Sequence, residues 1–186
     1  NLGYETTVNI MAISTAKESE ITEALSLLSQ CPVDVIYIVD SYGSMYMEQV
    51  DDLADKYLKM AEDHGKSVGM HAHNNQQLAF ANTIAALTRG VSYLDSTIGG
   101  MGRGAGNCSS EQLLGFLKNP KYDLIPILQF LEKHIIPLKK SGVVWGYNIP
   151  YLLTGQTNQH PRSAIAATKE KRTDFLNFLL ELNDKD

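Results

Sequence analysis

The stretch Val33-Asp34-Val35-Ile36-Tyr37-Ile38-Val39 is an almost unbroken apolar run that leads into the turn-forming residues 40–43. Such a run predicts a strand that is buried on both faces, which is typical of parallel sheets. Similar runs at residues 7–13, 66–73 and 91–97 alternate with stretches of helical periodicity. Because βα units joined by short turns require parallel strands with right-handed crossovers, the sequence predicts an α/β fold.

The βα pattern fits two architectures, an open doubly wound sheet or part of a (β/α)8 barrel. A complete barrel needs roughly 200–250 residues or more, whereas only about 120 residues of this chain have the βα pattern. A whole barrel is therefore excluded, and half of one is not. We expect residues 1–120 to form the βα domain and residues 121–186 a helical extension, with helices near 124–140, 150–156 and 162–182.

The composition is that of an ordinary globular protein. The chain has 186 residues, of which 44% are hydrophobic and 20% charged, and a formal net charge of −5. This mild acidity argues against nucleic-acid binding, which normally requires a basic face. No apolar run is long enough to span a bilayer, so we expect no membrane partner.

The few cysteines and the first residue lead to two further expectations. Cys31 and Cys108 are too few for a disulfide framework and suit a reducing compartment, so we expect a cytoplasmic protein. The chain begins at Asn1 rather than at a methionine, so we expect it to be a piece of a longer protein.

The strongest chemical signal is the segment Gly69-Met70-His71-Ala72-His73-Asn74-Asn75. Residues two apart on a strand point to the same face, so His71 and His73 can converge on one divalent metal ion. They close a predicted strand, at the end where the ligands of both candidate architectures gather. The alternative is that backbone carbonyls satisfy both rings, and for this pattern we favour metal binding. Zinc with Cys108 as a third ligand is less favoured, because a loop would have to fold back.

A glycine-rich loop runs from Asp95 to Asn107, after the fourth predicted strand. Its glycines allow the backbone to approach a ligand closely and to present N–H groups to an anion, with the start of the next helix behind it. The loop lacks the third glycine and the acidic residue of a dinucleotide-binding fingerprint. Arg103 in its middle indicates contact with an anion or a carboxylate, and the alternative is a flexible connection.

Four more polar residues are candidates for the site. Asp40 follows the second strand with Ser41 and could orient a metal-bound water or a substrate hydroxyl, or could cap the next helix. Asn9 lies in an apolar strand, so we expect its amide either to contact a ligand or to be satisfied within the core. Tyr151 could transfer a proton if it lies at a site, although a buried tyrosine more often packs with its hydroxyl in water.

Together these motifs resemble those of a known enzyme family. The segments that carry the resemblance are Val68-Gly69-Met70-His71-Ala72-His73-Asn74, Asp95-Ser96-Thr97-Ile98-Gly99-Gly100-Met101-Gly102 and Gly104-Ala105-Gly106-Asn107. They resemble the metal-dependent aldolase family that includes hydroxymethylglutaryl-CoA lyase, isopropylmalate synthase and 4-hydroxy-2-oxovalerate aldolase, and the last of these is the most similar. The likeness has specific motifs over residues 1–118 and is looser from there to the end of the chain.

The resemblance implies a fold, a metal and a set of functional residues. The fold is a (β/α)8 TIM barrel, in which the strands of this chain would be numbers five to eight, followed by C-terminal helices. His71 and His73 would be two of three protein ligands of a divalent ion, Mn²⁺ or Mg²⁺ rather than zinc. Asn107 stands where the family has a further ligand or a supporting amide. Tyr151 matches a tyrosine that acts at the aldolase active site.

The implied reaction is the cleavage of a 4-hydroxy-2-oxo acid into pyruvate and an aldehyde. Arg103 and the loop at residues 99–106 would hold the substrate carboxylate. We expect Asn9, Asp40 and Ser41 to contribute to substrate binding from the strand ends.

One part of the family pattern is missing from this chain. The family's first strand carries an acidic metal ligand and an arginine in the pattern Asp-x-x-x-Arg-Asp-Gly, which nothing here matches. We therefore expect the chain by itself to be an inefficient catalyst, because two imidazoles alone bind a hard divalent ion loosely. The alternative is a non-catalytic half-barrel that pairs with the missing half or forms a homo-oligomer, because half a barrel exposes strand edges and apolar faces.

Overall fold

The computed structural model describes residues 2–184 and shows a parallel four-stranded sheet with helices packed against it. The strands pair in chain order, each of them parallel to the next. They are β1 (Thr7–Ile10), β2 (Val35–Asp40), β3 (Ser67–Ala72) and β4 (Tyr93–Leu94). The parallel α/β fold that the sequence predicts is confirmed.

Helices make up most of the remaining chain. Those that connect the strands are α1 (Glu18–Ser29), α2 (Met47–Asp63) and α3 (Ala79–Arg89). After β4 come α4 (Ser110–Leu117), α5 (Leu124–Phe130), a π-helical segment (Leu131–Ile135), α6 (Ile136–Lys140), α7 (Ile149–Gln156), α8 (Arg162–Lys169) and α9 (Phe175–Asn183). Between residues 2 and 184, none of the helices combines the length and the apolar content needed to cross a bilayer.

The three connecting helices pack on one face of the sheet. Their buried side chains form a single core with strand residues Ile36, Ile38, Val68, Met70 and Ala72. Because side chains alternate along a strand, Val35, Tyr37 and Val39 form a separate cluster on the opposite face. A doubly wound sheet has a reversal in its strand order and helices on both faces. Neither holds for the sheet within residues 2–184, so the doubly wound alternative is excluded.

Two strands are shorter than the sequence predicts. β1 stops at Ile10, because Ala12 turns the chain with a left-handed φ of 55°. Asn9 within β1 is exposed rather than buried. β4 comprises only Tyr93–Leu94 instead of residues 91–97. Both strands are at the edges of the described sheet, where a single neighbouring strand supplies the ladder of hydrogen bonds.

The predicted C-terminal helices are present, with one break. The stretch 162–182 forms two helices, because Lys171 has a left-handed φ of 54° between α8 and α9. Asn158 in the α7–α8 loop connects these helices to the sheet. Its Nδ2 donates to the Ser14 carbonyl at 2.9 Å, and its Oδ1 accepts from Ser44 Oγ at 2.7 Å. The C-terminal segment is therefore fastened to the loops that follow β1 and β2.

Candidate functional site

His71 and His73 lie where the sequence predicts, at the carboxyl end of β3. His71 belongs to the strand, and His73 follows it in a β-bridge to Asn107. Their ring centroids are 5.1 Å apart and the ring planes meet at 76°. His71 points to the same face as Gly69, which is paired with Tyr37 in the sheet register. The histidine pair therefore belongs to the face opposite the connecting helices.

Each histidine is held through its Nδ1 atom. Nδ1 of His71 lies 2.9 Å from Oδ2 of Asp95, and Nδ1 of His73 lies 2.9 Å from the carbonyl oxygen of Asp40. Because carboxylate and carbonyl oxygens only accept hydrogen bonds, each Nδ1 carries the proton. Each Nε2 then offers a lone pair to a metal ion. Backbone carbonyls are the partners expected of a purely structural histidine. Here only His73 has such a partner, and it satisfies only one of the two ring nitrogens.

The electrostatic surroundings favour a neutral ring at His73. Burial lowers the pKa of His73, and the charges of His71 and Arg103 lower it further, against the opposing effect of its hydrogen bond to Asp40. Metal ions bind the neutral form of imidazole. The protonation state of His73 near neutral pH is therefore the one that a metal site requires.

Asn107 is brought next to His73 by the glycine-rich loop. Besides the β-bridge, the N–H of Asn74 donates to the Gly106 carbonyl at 2.8 Å, which fastens the loop to the end of β3. Nδ2 of Asn107 donates to the Met101 carbonyl at 3.1 Å, while its buried Oδ1 has no hydrogen-bond partner among the described residues. A buried amide oxygen without a partner is unfavourable, and a bound ligand would satisfy it.

The donor atoms at this end of β3 fit part of a divalent metal site. Imidazole nitrogens and an amide oxygen are both ligands of divalent metal ions. Residues 2–184 contain no group of three His, Cys, Asp or Glu side chains that could hold a metal ion. A complete site therefore requires a further ligand, as the missing acidic residue of the family pattern implies.

The glycine-rich loop is a hydrogen-bonded structure rather than a loose connection. The indole N–H of Trp145 donates to the Gly99 carbonyl at 2.8 Å. A Cβ at Gly106 would overlap the Gly100 carbonyl oxygen, and a Cβ at Gly104 would overlap the ring of Tyr151. Gly104 and Gly106 also have positive φ values, so both positions require glycine.

Tyr151, the predicted proton-transfer residue, lies near the start of α7 and is buried against Gly104. Burial raises the pKa of its hydroxyl, and the charge of Arg103 opposes that increase. The same charge acts on His73 and on His160, so the exposed Arg103 lies within electrostatic range of all three residues. The structure therefore brings Arg103, Tyr151 and His73 into one region.

Asp40 and Ser41 both hold loop backbone. The buried carboxylate of Asp40 accepts from the backbone N–H groups of Ser44 at 2.9 Å and Met45 at 3.3 Å. Burial raises the pKa of this carboxyl group to about 6, and the hydrogen bonds from the loop oppose the increase. Ser41 Oγ accepts from the backbone N–H of Ala12 at 2.7 Å. Both side chains thus stabilise loops, and their contact with a substrate remains a prediction.

The two other residues considered from the sequence lie on opposite faces of the sheet. Asn9 is exposed and is paired with Tyr37 in the register of β1 and β2. Its contact with a substrate also remains a prediction. Cys108 is buried in the core that contains the connecting helices, and burial raises the pKa of its thiol. Because zinc binds the thiolate form, this location argues against Cys108 as a third ligand beside His71.

Asp95 and Tyr37 lie at the site, although neither is predicted from the sequence to have a role of its own there. Oδ2 of Asp95 accepts a hydrogen bond from Nδ1 of His71, and the charge of Asp95 contributes to the raised pKa of Tyr37. Gly69 provided a signal for the position of the Tyr37 ring, because a glycine inside a strand often marks a place where another group approaches closely. Asp95 directly follows β4, so it lies at the same carboxyl end of the sheet as the histidine pair.

Comparison with known proteins gives the family and the relatives. The profile of the HMGL-like family matches residues 1–130. The 4-hydroxy-2-oxovalerate aldolase of Pelotomaculum thermopropionicum is 39% identical over 156 residues, which are 78% of this chain and 45% of that protein. The protein of the same name from Thermus thermophilus is 37% identical over 173 residues, 87% of this chain and 48% of that protein. The chain thus spans about half the length of the curated relatives it matches.

Solved structures share the fold. The N-terminal domain of a Bacteroides vulgatus protein that is provisionally named an aldolase has a TM-score of 0.71 and 29% identity, and the match covers 90% of this chain and 55% of that one. The carboxyl transferase domain of Rhizobium etli pyruvate carboxylase has a TM-score of 0.64 at 15% identity over 89% of this chain and 30% of that one, a likeness of fold alone. Since the family profile covers most of its length, the chain belongs to the HMGL-like family.

Proposed function

We propose that this chain is part of a divalent-metal-dependent aldolase that cleaves a 4-hydroxy-2-oxo acid into pyruvate and an aldehyde. The observation that carries the proposal is the pair His71 and His73, whose Nδ1 atoms are both engaged and whose Nε2 atoms are both available. The names of the curated relatives supply the substrate class. A cytoplasmic location accords with such a small-molecule substrate.

In this proposal, residues 1–120 form the second half of a (β/α)8 TIM barrel, with β1–β4 as strands five to eight. Residues 121–186 form a C-terminal helical extension. The unreversed strand order and the one-sided connecting helices are typical of half a barrel. The span of about half of each relative agrees with this assignment. The other half would supply the acidic ligand and the arginine that this chain lacks.

The metal in this proposal is Mn²⁺ or Mg²⁺, and zinc is less favoured because Cys108 lies in the opposite core. His71, His73 and Asn107 would hold it together with a carboxylate from outside the chain. When bound, such an ion supplies Lewis-acid stabilisation of the negative charge that develops on the 2-oxo group.

The residues of this chain would bind the substrate and move its proton. Arg103 binds the substrate carboxylate, and Asn9, Asp40 and Ser41 contribute to the site from the ends of β1 and β2. Because burial keeps the Tyr151 hydroxyl protonated, it is suited to donate a proton to the aldehyde oxygen during condensation. Cleavage reverses this step: as the carbon–carbon bond breaks, the 4-hydroxyl group of the substrate passes its proton to the Tyr151 oxygen in its deprotonated form.

A second candidate function is a non-catalytic half-barrel that pairs with another chain, either the missing half or a second copy. It is favoured by the exposed apolar side chains of Leu2, Tyr4 and Met11 around β1. The coding sequence upstream of Asn1 distinguishes the two functions. An Asp-x-x-x-Arg-Asp-Gly segment there favours the enzyme, and an initiator methionine directly before Asn1 favours the pairing module.

We expect the full-length protein to release pyruvate from at least one of a panel of 4-hydroxy-2-oxo acids, with bound Mn²⁺ or Mg²⁺ detected by elemental analysis. Chelation should abolish the release and the same metal should restore it, because the ion stabilises the developing charge. Matched 2-oxo acids without the 4-hydroxyl group are the control, since they cannot undergo this cleavage. Full activity after complete removal of the metal would contradict the proposal, and a folded protein that is inactive on the whole panel would favour the pairing module.

The substitution Tyr151→Phe should lower kcat by about 100-fold, because the proton on the aldehyde-derived oxygen loses its transfer group. The ring remains packed on Gly104, so metal affinity and thermal stability should stay close to those of the wild type. Tyr147→Phe is the matched control, because Tyr147 is exposed. Equal turnover of Tyr151→Phe and wild-type protein would remove Tyr151 from the reaction.

A further inference from the structure

Gly69 lies inside β3, where a side chain would normally help to hold the strand in place. The aromatic ring of Tyr37 occupies the space instead, since a Cβ at Gly69 would lie 2.5 Å from Cε1 of that ring. Tyr37 and Gly69 are register partners on neighbouring strands, and Tyr37 is buried. Glycine weakens the interior of a strand. The close approach of the Tyr37 ring explains why this position has a glycine nevertheless.

From β2, the Tyr37 ring lies over Gly69 of β3, and Asp95 directly follows β4 on the other side of β3. The Asp95 carboxylate acts electrostatically on the Tyr37 hydroxyl. Burial, and then the Asp95 charge, raises the pKa of Tyr37 to about 12, so the hydroxyl is a hydrogen-bond donor near neutral pH. The hydrogen bond of Asp95 whose geometry bears on the site is the one from Nδ1 of His71, at 2.9 Å.

The two histidines of the pair differ in what holds them. His73 donates to the neutral backbone carbonyl of Asp40, whereas His71 donates to the side-chain carboxylate of Asp95. A carboxylate at Nδ1 fixes the tautomer and the ring orientation, and it makes Nε2 a stronger donor of its lone pair. Of these two rings, only that of His71 therefore depends on a side chain that substitution can change.

We propose that Asp95 is the positioning residue that fixes the orientation and the Nδ1–H tautomer of His71. Its effect on metal affinity rests on the proposed function, whereas its effect on the His71 ring does not. The ring of Tyr37 lies over Gly69 and its hydroxyl interacts electrostatically with Asp95, so we expect Tyr37→Phe to have the same effect at a smaller size.

The first test measures the ring itself, by ¹⁵N NMR of the histidine side chains in the metal-free full-length protein. We expect His71 to be the Nδ1–H tautomer in the wild type and a mixture of tautomers in Asp95→Asn. Asp95→Glu keeps the carboxylate and should restore much of the wild-type signal. Tyr93→Phe is the matched control, because the Tyr93 hydroxyl donates to Glu5 at 2.6 Å rather than to Asp95. A His71 tautomer that is unchanged in Asp95→Asn would overturn the proposal.

The second test measures Mn²⁺ affinity of the same variants by calorimetry. Loss of a partner of this kind typically weakens metal binding 10–100-fold, so we expect a change of about that size for Asp95→Asn. Tyr37→Phe should weaken binding several-fold, and Tyr93→Phe should leave it unchanged. Equal Mn²⁺ affinity of the wild type and Asp95→Asn would overturn the role of Asp95 in metal binding. Wild-type protein that binds no Mn²⁺ would overturn the proposed function instead, and the NMR result would then decide the orientation of His71 separately.

Discussion

His71→Ala and His73→Ala should each abolish metal-dependent pyruvate release by the full-length protein. Each substitution removes an imidazole whose Nδ1 is already engaged, which leaves Nε2 as the nitrogen that would bind the metal. Removing a residue that only supports a ligand weakens metal binding 10–100-fold, so removing the ligand itself should weaken it by more than about 100-fold. Calorimetric titration with Mn²⁺ and the pyruvate assay measure the two effects on the same samples.

His64→Ala is the matched control for these substitutions. His64 is an exposed histidine at the end of α2, where its Nδ1 lies 2.8 Å from the Met60 carbonyl. Its removal should change neither metal affinity nor turnover. If His71→Ala or His73→Ala retained wild-type turnover with the metal still bound, the assignment of the histidine pair as metal ligands would be wrong.

Gly104→Ala should lower the free energy of unfolding by about 2–5 kcal/mol. Gly104 has a φ of 58°, which is unfavourable by about 1–2 kcal/mol for a residue with a Cβ. The new methyl group would also overlap the buried ring of Tyr151, and overpacking of this kind costs about 1–3 kcal/mol more. Chemical denaturation measures the loss of stability, and pyruvate release should fall with it because Tyr151 is displaced.

A control and a double substitution separate the two contributions at Gly104. Gly142 also has a positive φ, 98°, but a Cβ there would meet no atom within 4 Å. Gly142→Ala should therefore show only the backbone contribution. The pair Gly104→Ala and Tyr151→Ala should be less destabilising than the sum of the two single changes, because the alanine at 104 then has room. Strict additivity would show that the ring of Tyr151 does not lie against Gly104.

The sequence was most informative where a short-range pattern determines the structure. The spacing of His71 and His73 predicts a shared face, because the period of two along a strand is local. A glycine directly after a helical stretch predicts the end of the helix, and Gly90 does adopt the left-handed conformation at the end of α3, with a φ of 112°. Both predictions depend on residues that are close together in the chain, so no knowledge of the tertiary fold was needed.

The sequence was less informative where contacts between distant parts of the chain determine the structure. The apolar run at residues 91–97 cannot show that only Tyr93–Leu94 pairs, because strand length also depends on the neighbouring strand. From the sequence alone, the Asp40 carboxylate could equally face a substrate or a loop. In the structure it accepts hydrogen bonds from the backbone N–H groups of Ser44 and Met45. Asp95 was missed because its partner His71 is 24 residues away and no local pattern connects them.

The hydrogen bonds of Asn158 have a consequence for the order in which the molecule folds. Its two partners, Ser44 and Ser14, precede it by 114 and 144 residues. Because closing a longer stretch of chain costs more entropy, we expect contacts of this range to form after the local βα units. We therefore expect the helix that carries Tyr151 to dock after the histidine pair of the sheet is in place.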